Sequence, residues 1–239
     1  MSLDAADPKD SPNGPRAVGG RQPAAGEKQV AQPAAARPVD EDSKKRQVAI
    51  FAGGCFWCTE FAFEQLAGVI DVESGYSGGT KATANYEAVH RGGTAHAEAI
   101  RITFDPNTIS FDQLLDAFFD AHDPTQLNRQ GKDDIGRQYR SAIFYVDEDQ
   151  KKQAEAKIAD LEAKQVYKKK KIMTKLEPFK EFYPAEDYHQ DFARRNPGSP
   201  YIQTHALPKA MHVRSKHPDL LRSNNWTDPV RGTAEESLP

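Results

Sequence analysis

The chain has 239 residues, room for one or two domains, and a formal net charge of −3, too near balance to imply nucleic acid or another polyanion as partner. It has no run of the roughly eighteen apolar residues that a membrane-spanning helix needs, and no apolar stretch near its start that reads as a secretory signal, so a cytoplasmic protein off the membrane is expected. Its two cysteines stand three apart, a spacing that in an unexported chain argues for redox chemistry or metal binding rather than a structural staple.

Residues 1–46 are rich in Ala, Pro, Gly and charge, and the first aromatic residue is Phe51. Such a segment buries too little apolar surface to offset its ordering entropy, so a disordered extension is expected there, with a docking or targeting role left open. The folded domain is expected over 47–222. Val48 to Ala52 is a short apolar run that reads as a buried strand, and Gly53-Gly54 breaks it with a tight turn. Phe56 to Leu66 then follows helical spacing: Trp57 and Phe61 are four apart, Phe63 and Leu66 three. Cys55 therefore falls at a helix start, where the dipole and unpaired N–H groups favour a thiolate. Cys58 lies within reach across the first turn, as in a dithiol able to close to a disulfide. Free cysteines are usually buried and inert. Here the Gly-Gly turn, the helix start, the second thiol and the aromatics between them favour a catalytic or redox role.

Gly68 ends that helix, Val69 to Gly75 reads as a strand, and Tyr76 to Gly79 as a turn or loop. Asn85 to Arg91 reads as a short helix stopped by Gly92-Gly93. Ala97 to Phe104 alternates, which puts Glu98, Ile100, Ile102 and Phe104 on one face. A carboxyl on an apolar face is pushed towards its neutral form and becomes a proton donor. Glu98 equally reads as a strand opener that points to solvent. After the turn at Asp105-Pro106-Asn107, Ser110 is a good N-cap for a helix from Phe111 to Ala121. A long polar loop, Asp123 to Gln138, has the character of a functional loop.

Tyr139 to Val146 reads as a strand, Asp147 to Gln165 as an amphipathic helix, and Lys168 to Lys171 as a solvated lysine run. Ile172 to Leu176 reads as an edge strand and Ala185 to Arg195 as a last helix, stopped by Asn196-Pro197-Gly198. An irregular tail is expected over 199–222 and a disordered end over 223–239, where Trp226 has no account. There is no internal repeat. The element order implies an α+β class, with one mixed sheet packed by helices in a single domain.

Tyr86 and Tyr139 stand at element ends beside loops, where their hydroxyls are able to donate to a polar oxygen; both also read as core residues with satisfied hydroxyls. Asp134, in the polar loop, reads as a turn former if taken alone. Cys55, Cys58, His96 and His189 invite a zinc reading, but no H-x-x-x-H or second C-x-x-C supports it, and the two histidines are expected to be hydrogen-bonded structural residues. No metal and no organic cofactor is expected.

Four stretches together are similar to one known family: GGCFWCTE, NYEAVHRGGTAHAEAIRITFDP, HDPTQLNRQGKDDIGRQYRSAIFY and FYPAEDYHQDF. They resemble the A-type peptide-methionine sulfoxide reductases over roughly residues 47–200, and GCFW followed by HAE and D-x-G-x-Q-Y-R-S at these separations is highly specific. The resemblance implies a ferredoxin-like sheet and thiol-dependent reduction of methionine-S-sulfoxide, free or in oxidised proteins, as protein repair under oxidative stress. It implies thioredoxin as reductant. By position, Cys55 resembles the nucleophile and Glu98 the proton donor to the sulfoxide oxygen. Tyr86 and Tyr139 resemble that oxygen's hydrogen-bond partners, and Asp134 a polar orienting residue. Phe56 and Trp57 resemble the walls of the methyl pocket. A methyl sulfoxide, with its electrophilic sulfur, basic oxygen and small apolar methyl, calls for such a set.

The chain departs from the family in one place. Tyr201-Ile202 stands where related sequences can carry Tyr-Cys, and the tail has no cysteine. Recycling therefore falls to Cys58 as resolving residue, or to an external thiol acting on the sulfenic acid. A monomer is expected. A general thiol–disulfide oxidoreductase and a redox-dependent binding module are the alternative readings.

Overall fold

A computed structural model of the chain describes residues 46–222; the expected extension before Arg46 and the end after Arg222, Trp226 included, lie outside the described residues. Strand β1 (Gln47–Gly53) is the apolar run expected there, and it is fully buried from Ala49 to Ala52. After the Gly-Gly turn comes α1 (Phe56–Phe63), buried along its whole length. Then follow β2 (Val69–Ser77), α2 (Tyr86–His90), β3 (Ala97–Phe104) and α3 (Phe111–Ala121). A small ribbon of β4 (Arg129–Gln130) and β5 (Asp134–Ile135) interrupts the long loop. The chain ends with β6 (Ser141–Tyr145), α4 (Glu148–Ala163), β7 (Lys175–Pro178), β8 (Phe182–Pro184), α5 (Phe192–Arg195) and α6 (Leu207–Lys216).

Six strands form one mixed sheet in the order β7-β6-β1-β3-β2-β8. Only β6 and β7 run parallel; the other neighbours are antiparallel. β3 is central, and its alternation sets the two faces. Ile100, Ile102 and Phe104 point with Phe51 and Ile143 into the larger core, where α1, α3 and α6 pack. Ala97 and Ala99 point the other way, under Phe144 and Phe182. α3 starts on a full capping box, with the Ser110 hydroxyl accepting from Gln113 N–H and the Gln113 side chain accepting from Ser110 N–H. Among the described residues no helix is long and apolar enough to cross a membrane.

The structure corrects several expectations. Tyr76 and Ser77 do not turn; they extend β2, because β3 and β8 both pair with them. Tyr139 is not in a strand but in a single 3₁₀ turn, Arg137–Tyr139, and β6 begins only at Ser141. α4 ends at Ala163, and the edge strand starts at Lys175 rather than Ile172. Residues 185–186 are irregular and 187–191 form turns, and only α5 is helical. The Gln190 side chain there pairs with both the N–H and the C=O of Ser74, and Asp191 is left-handed at φ 54, so the chain is held against the edge of β2. The expected irregular tail contains α6 instead. Leu207, Ala210 and Val213, three apart, are buried against α1 and α3. A wide π-helical turn, Ile202–Ala206, precedes it. It falls where Pro208 has no N–H to offer and its ring crowds the carbonyl one turn back.

Candidate active site

The site begins at the turn between β1 and α1. Gly54 has φ +96, and a Cβ there would collide with the Gln130 side chain of β4, so only glycine lets the chain turn under that lid. The turn delivers Cys55 as the N-cap of α1, and its carbonyl accepts from Cys58 N–H at 3.1 Å and Thr59 N–H at 3.3 Å. The next free N–H of the helix, that of Phe56, donates to Glu98 Oε2 at 3.1 Å. This bond joins β3 to the helix start and sets the carboxyl beside the thiol.

Glu98 is only 2% exposed, so the buried alternative holds and the solvent-facing one falls. Burial raises its pKa well above the ordinary carboxyl range; the Phe56 N–H opposes this, and nearby Asp134 and Cys58 add to it. Burial therefore favours the neutral acid over the carboxylate.

The thiols correct a second expectation. Burial first, then its bond to Cys58 and the charges of Cys58, Glu98 and Asp134, raise Cys55 well above a free thiol, against the direction expected at a helix start. The helix start loses here for a visible reason: Cys55 Sγ caps no N–H, and the Phe56 N–H is taken by Glu98. Cys58 is lowered instead, chiefly because Cys55 donates to it. Burial opposes that lowering, and Lys209 supports it. The two thiols are thus pushed in opposite directions, Cys55 towards the thiol and Cys58 towards the thiolate.

Aromatic rings wall the site. Phe56 and Trp57 are both buried, with Trp57 stacked on Phe192 at 3.9 Å between centroids. Trp57 Nε1–H donates to His189 Nδ1 at 3.2 Å, which fixes the indole. Tyr86 packs against the same histidine, 4.5 Å between centroids, and stacks on His90. Tyr139 lies 3.4 Å from His90 Nδ1 through its hydroxyl; burial, then the charges of Glu98, Cys55 and Asp134, raise its pKa. Asp134 is raised by burial, against the opposing pull of Lys209 and Tyr201. The structure therefore gathers Cys55, Cys58, Phe56, Trp57, Glu98, Tyr86, Tyr139 and Asp134 around one place. The two histidines of the zinc reading have other work: His189 holds Trp57, and His96 Nε2 pairs with Thr80 O at 3.0 Å. Among the described residues no group of three or more metal-ligating side chains is placed to hold an ion.

Sequence reasoning missed four side chains. Tyr201 donates to both Asp134 carboxyl oxygens at 3.0 Å and sets its edge on Trp57. Lys209, half-buried on α6, reaches the Cys58 sulfur. Glu186 accepts from Tyr76 O–H at 3.0 Å and from Tyr86 N–H at 2.9 Å, and so seats α2. Gln130 covers the glycine turn. No local pattern marks them. Each is brought in by tertiary packing, and the sole hint was Tyr201, at the point where the chain departs from the related sequences.

A dithiol at a helix start, with a buried carboxyl tied to the same helix, defines an oxidoreductase of the thiol type. The model of one family, described as peptide methionine sulfoxide reductase, matches residues 47–220, and the chain belongs to that family. It is 51% identical over 189 residues to peptide methionine sulfoxide reductase MsrA 2 of a Synechocystis strain, covering 79% of this chain and 87% of the relative. It is 49% identical over 177 residues to the MsrA of Deinococcus radiodurans, with 74% and 85% covered. Among solved structures, reduced Mxr1 from Saccharomyces cerevisiae superposes with a TM-score of 0.61 at 34% identity, over 70% of this chain and 94% of that one. Methionine sulfoxide reductase A of Corynebacterium diphtheriae gives 0.55 at 32% identity, over 64% and 76%.

Proposed function

We propose that the chain reduces methionine-S-sulfoxide, free or in oxidised proteins, by transfer of the sulfoxide oxygen to Cys55. The observation that supports this is the Phe56 N–H bond to Glu98, which holds a buried carboxyl, pushed towards its neutral form, beside the thiol pair. A proton passes from Cys55 to Cys58 as substrate enters, and the Cys55 thiolate attacks sulfur while Glu98 protonates the oxygen. The S–O bond of the substrate breaks, methionine leaves, and Cys55 is oxidised to the sulfenic acid. Phe56 and Trp57 take the methyl group, Tyr86 and Tyr139 donate to the oxygen, and Asp134 orients the polar side of the pocket. Cys58 then attacks the sulfenic sulfur. Its proton returns to Glu98 and goes on to the departing oxygen, which leaves as water. Thioredoxin reopens the Cys55–Cys58 disulfide.

The central four strands, β6-β1-β3-β2, are all antiparallel, with α1 and α3 as crossovers, which supports a ferredoxin-like reading of that part of the sheet. The protein is proposed to act as a monomer in the cytoplasm. An NADPH-coupled assay with thioredoxin and a methyl sulfoxide tests the function. Turnover is expected, and Cys55→Ser should abolish it with the fold intact. Disulfide exchange without sulfoxide consumption would point to a general thiol–disulfide oxidoreductase, and binding without turnover to a recognition module.

A further inference from the structure

We infer that Lys209, carried by α6, is the positioning residue that makes Cys58 the resolving nucleophile of this chain; the inference rests on the proposed reductase function. α6 packs on α1 and α3 through Leu207, Ala210 and Val213, and this docking carries Lys209 next to the thiol pair. The ammonium lies within interaction range of Cys58, Cys55 and Asp134. Among the described residues Lys209 has no carboxylate at ion-pair distance, although it is half-buried. An ammonium withdrawn from water without an anion is costly. The anion that fills this role is the charge shared by the thiols, with Asp134 behind it.

The helix is held in place at both ends. The segment before it is tied down by the Tyr201 hydroxyl on Asp134 and by His205 facing Asp133 at 3.2 Å. The far end is tied by His217 on Asp120 at 2.9 Å. The π-helical turn between Tyr201 and Leu207 sets the rotation of α6 relative to Tyr201, so that both Tyr201 and Lys209 face the sulfurs. The groups that face Cys58 are then Cys55, Glu98, Asp134, Tyr201 and Lys209, and Lys209 is the cation among them.

The step it serves balances as a condensation. The Cys58 thiolate forms a bond to Cys55 sulfur, the Cys55 S–O bond breaks, and the oxygen leaves as water with one proton from its own hydroxyl and one from Glu98. Both sulfurs end in the disulfide. The cation aims Cys58 and favours its return to the thiolate once the sulfenic acid has formed next to it and the Cys58 proton has passed to Glu98.

The test compares two steps in a single turnover of the full chain with a methyl sulfoxide: release of the thioether, and closure of the disulfide. In Lys209→Met, closure at pH 7 should slow at least about tenfold more than release does, as expected for a nearby charge that shifts a thiol by a unit or more. The pH midpoint of closure should move to higher pH, and Lys209→Arg should recover most of the rate. Thiolate absorbance in a Cys55→Ser background should show Cys58 titrating at higher pH once Lys209→Met is added than with the lysine in place, and this reads out the same charge without turnover. Closure that keeps pace with release, or an unmoved Cys58 titration, would overturn the role of Lys209. An absence of thioether release in the wild type would overturn the reductase reading instead.

Discussion

At the scale of single residues, one bond positions the proposed proton donor. The Phe56 N–H satisfies one helix-terminal donor and in doing so ties Glu98 to the nucleophile. Sequence alternation placed Glu98 on the apolar face but left a solvent-facing start equally open, because a strand's first residues are where a face is least determined. Glu98→Gln keeps size and hydrogen bonding but has no proton to give. General acid catalysis by a positioned group contributes about a hundred- to ten-thousand-fold, so single-turnover methionine release should slow within that range. In the wild type the same step should decline as pH rises through the raised pKa of Glu98, and the Gln variant should lack this limb. A slowdown under about tenfold would mean that water or a tyrosine supplies the proton. The resting state of Cys55 was not legible at all. Helix-start position argued for a thiolate, and only the packed structure reveals that the carboxyl competes for the N–H that would have stabilised it.

At the scale of elements, α1 carries a second pair of carboxyls away from the thiols. Glu60 is 1% exposed and burial lifts it to about 8; Glu64, likewise by burial and despite Arg194, is lifted to about 7. In the unfolded chain both titrate near about 4.3. Between that value and about 8 the folded state therefore holds more protons than the unfolded one, and stability falls as pH rises across the window. Calorimetric melting temperature should be lower at pH 8.5 than at pH 5.5, and Glu60→Gln should flatten the dependence; a steeper or unchanged slope in that variant would contradict it. α1 and α3 were legible because their apolar spacing and, for α3, the Ser110 cap are written in consecutive residues. α6 was not. Its buried stripe is only Leu207, Ala210 and Val213, too sparse to stand out among the prolines and charges around it. Residues 185–191 carry a helical pattern, yet the Gln190 bonds to Ser74 and the left-handed Asp191 override it.

At the scale of the molecule, the site is assembled from both ends of the described chain. β1, α1 and β3 bring the thiols and Glu98 together, and the segment from Tyr201 to Lys209 returns to pack beside them. The α+β class and the mixed sheet followed from the element order, since strands and helices alternated with enough periodicity to place them. The edge strand β7 shifted and β8 was not read at all, because edge pairing is set by partners distant in sequence. With no cysteine in the tail, the reductive half of the cycle must run through Cys58 or through an external thiol. A single turnover of fully reduced protein with excess methyl sulfoxide, counting methionine released and free thiols left, distinguishes these routes. The wild type should release one methionine per chain and lose both thiols. Cys58→Ser should release one methionine, hold a trappable sulfenic acid on Cys55 and cycle poorly with thioredoxin. Release with both thiols still free, or undiminished cycling by Cys58→Ser, would contradict oxygen transfer to Cys55 and its resolution by Cys58.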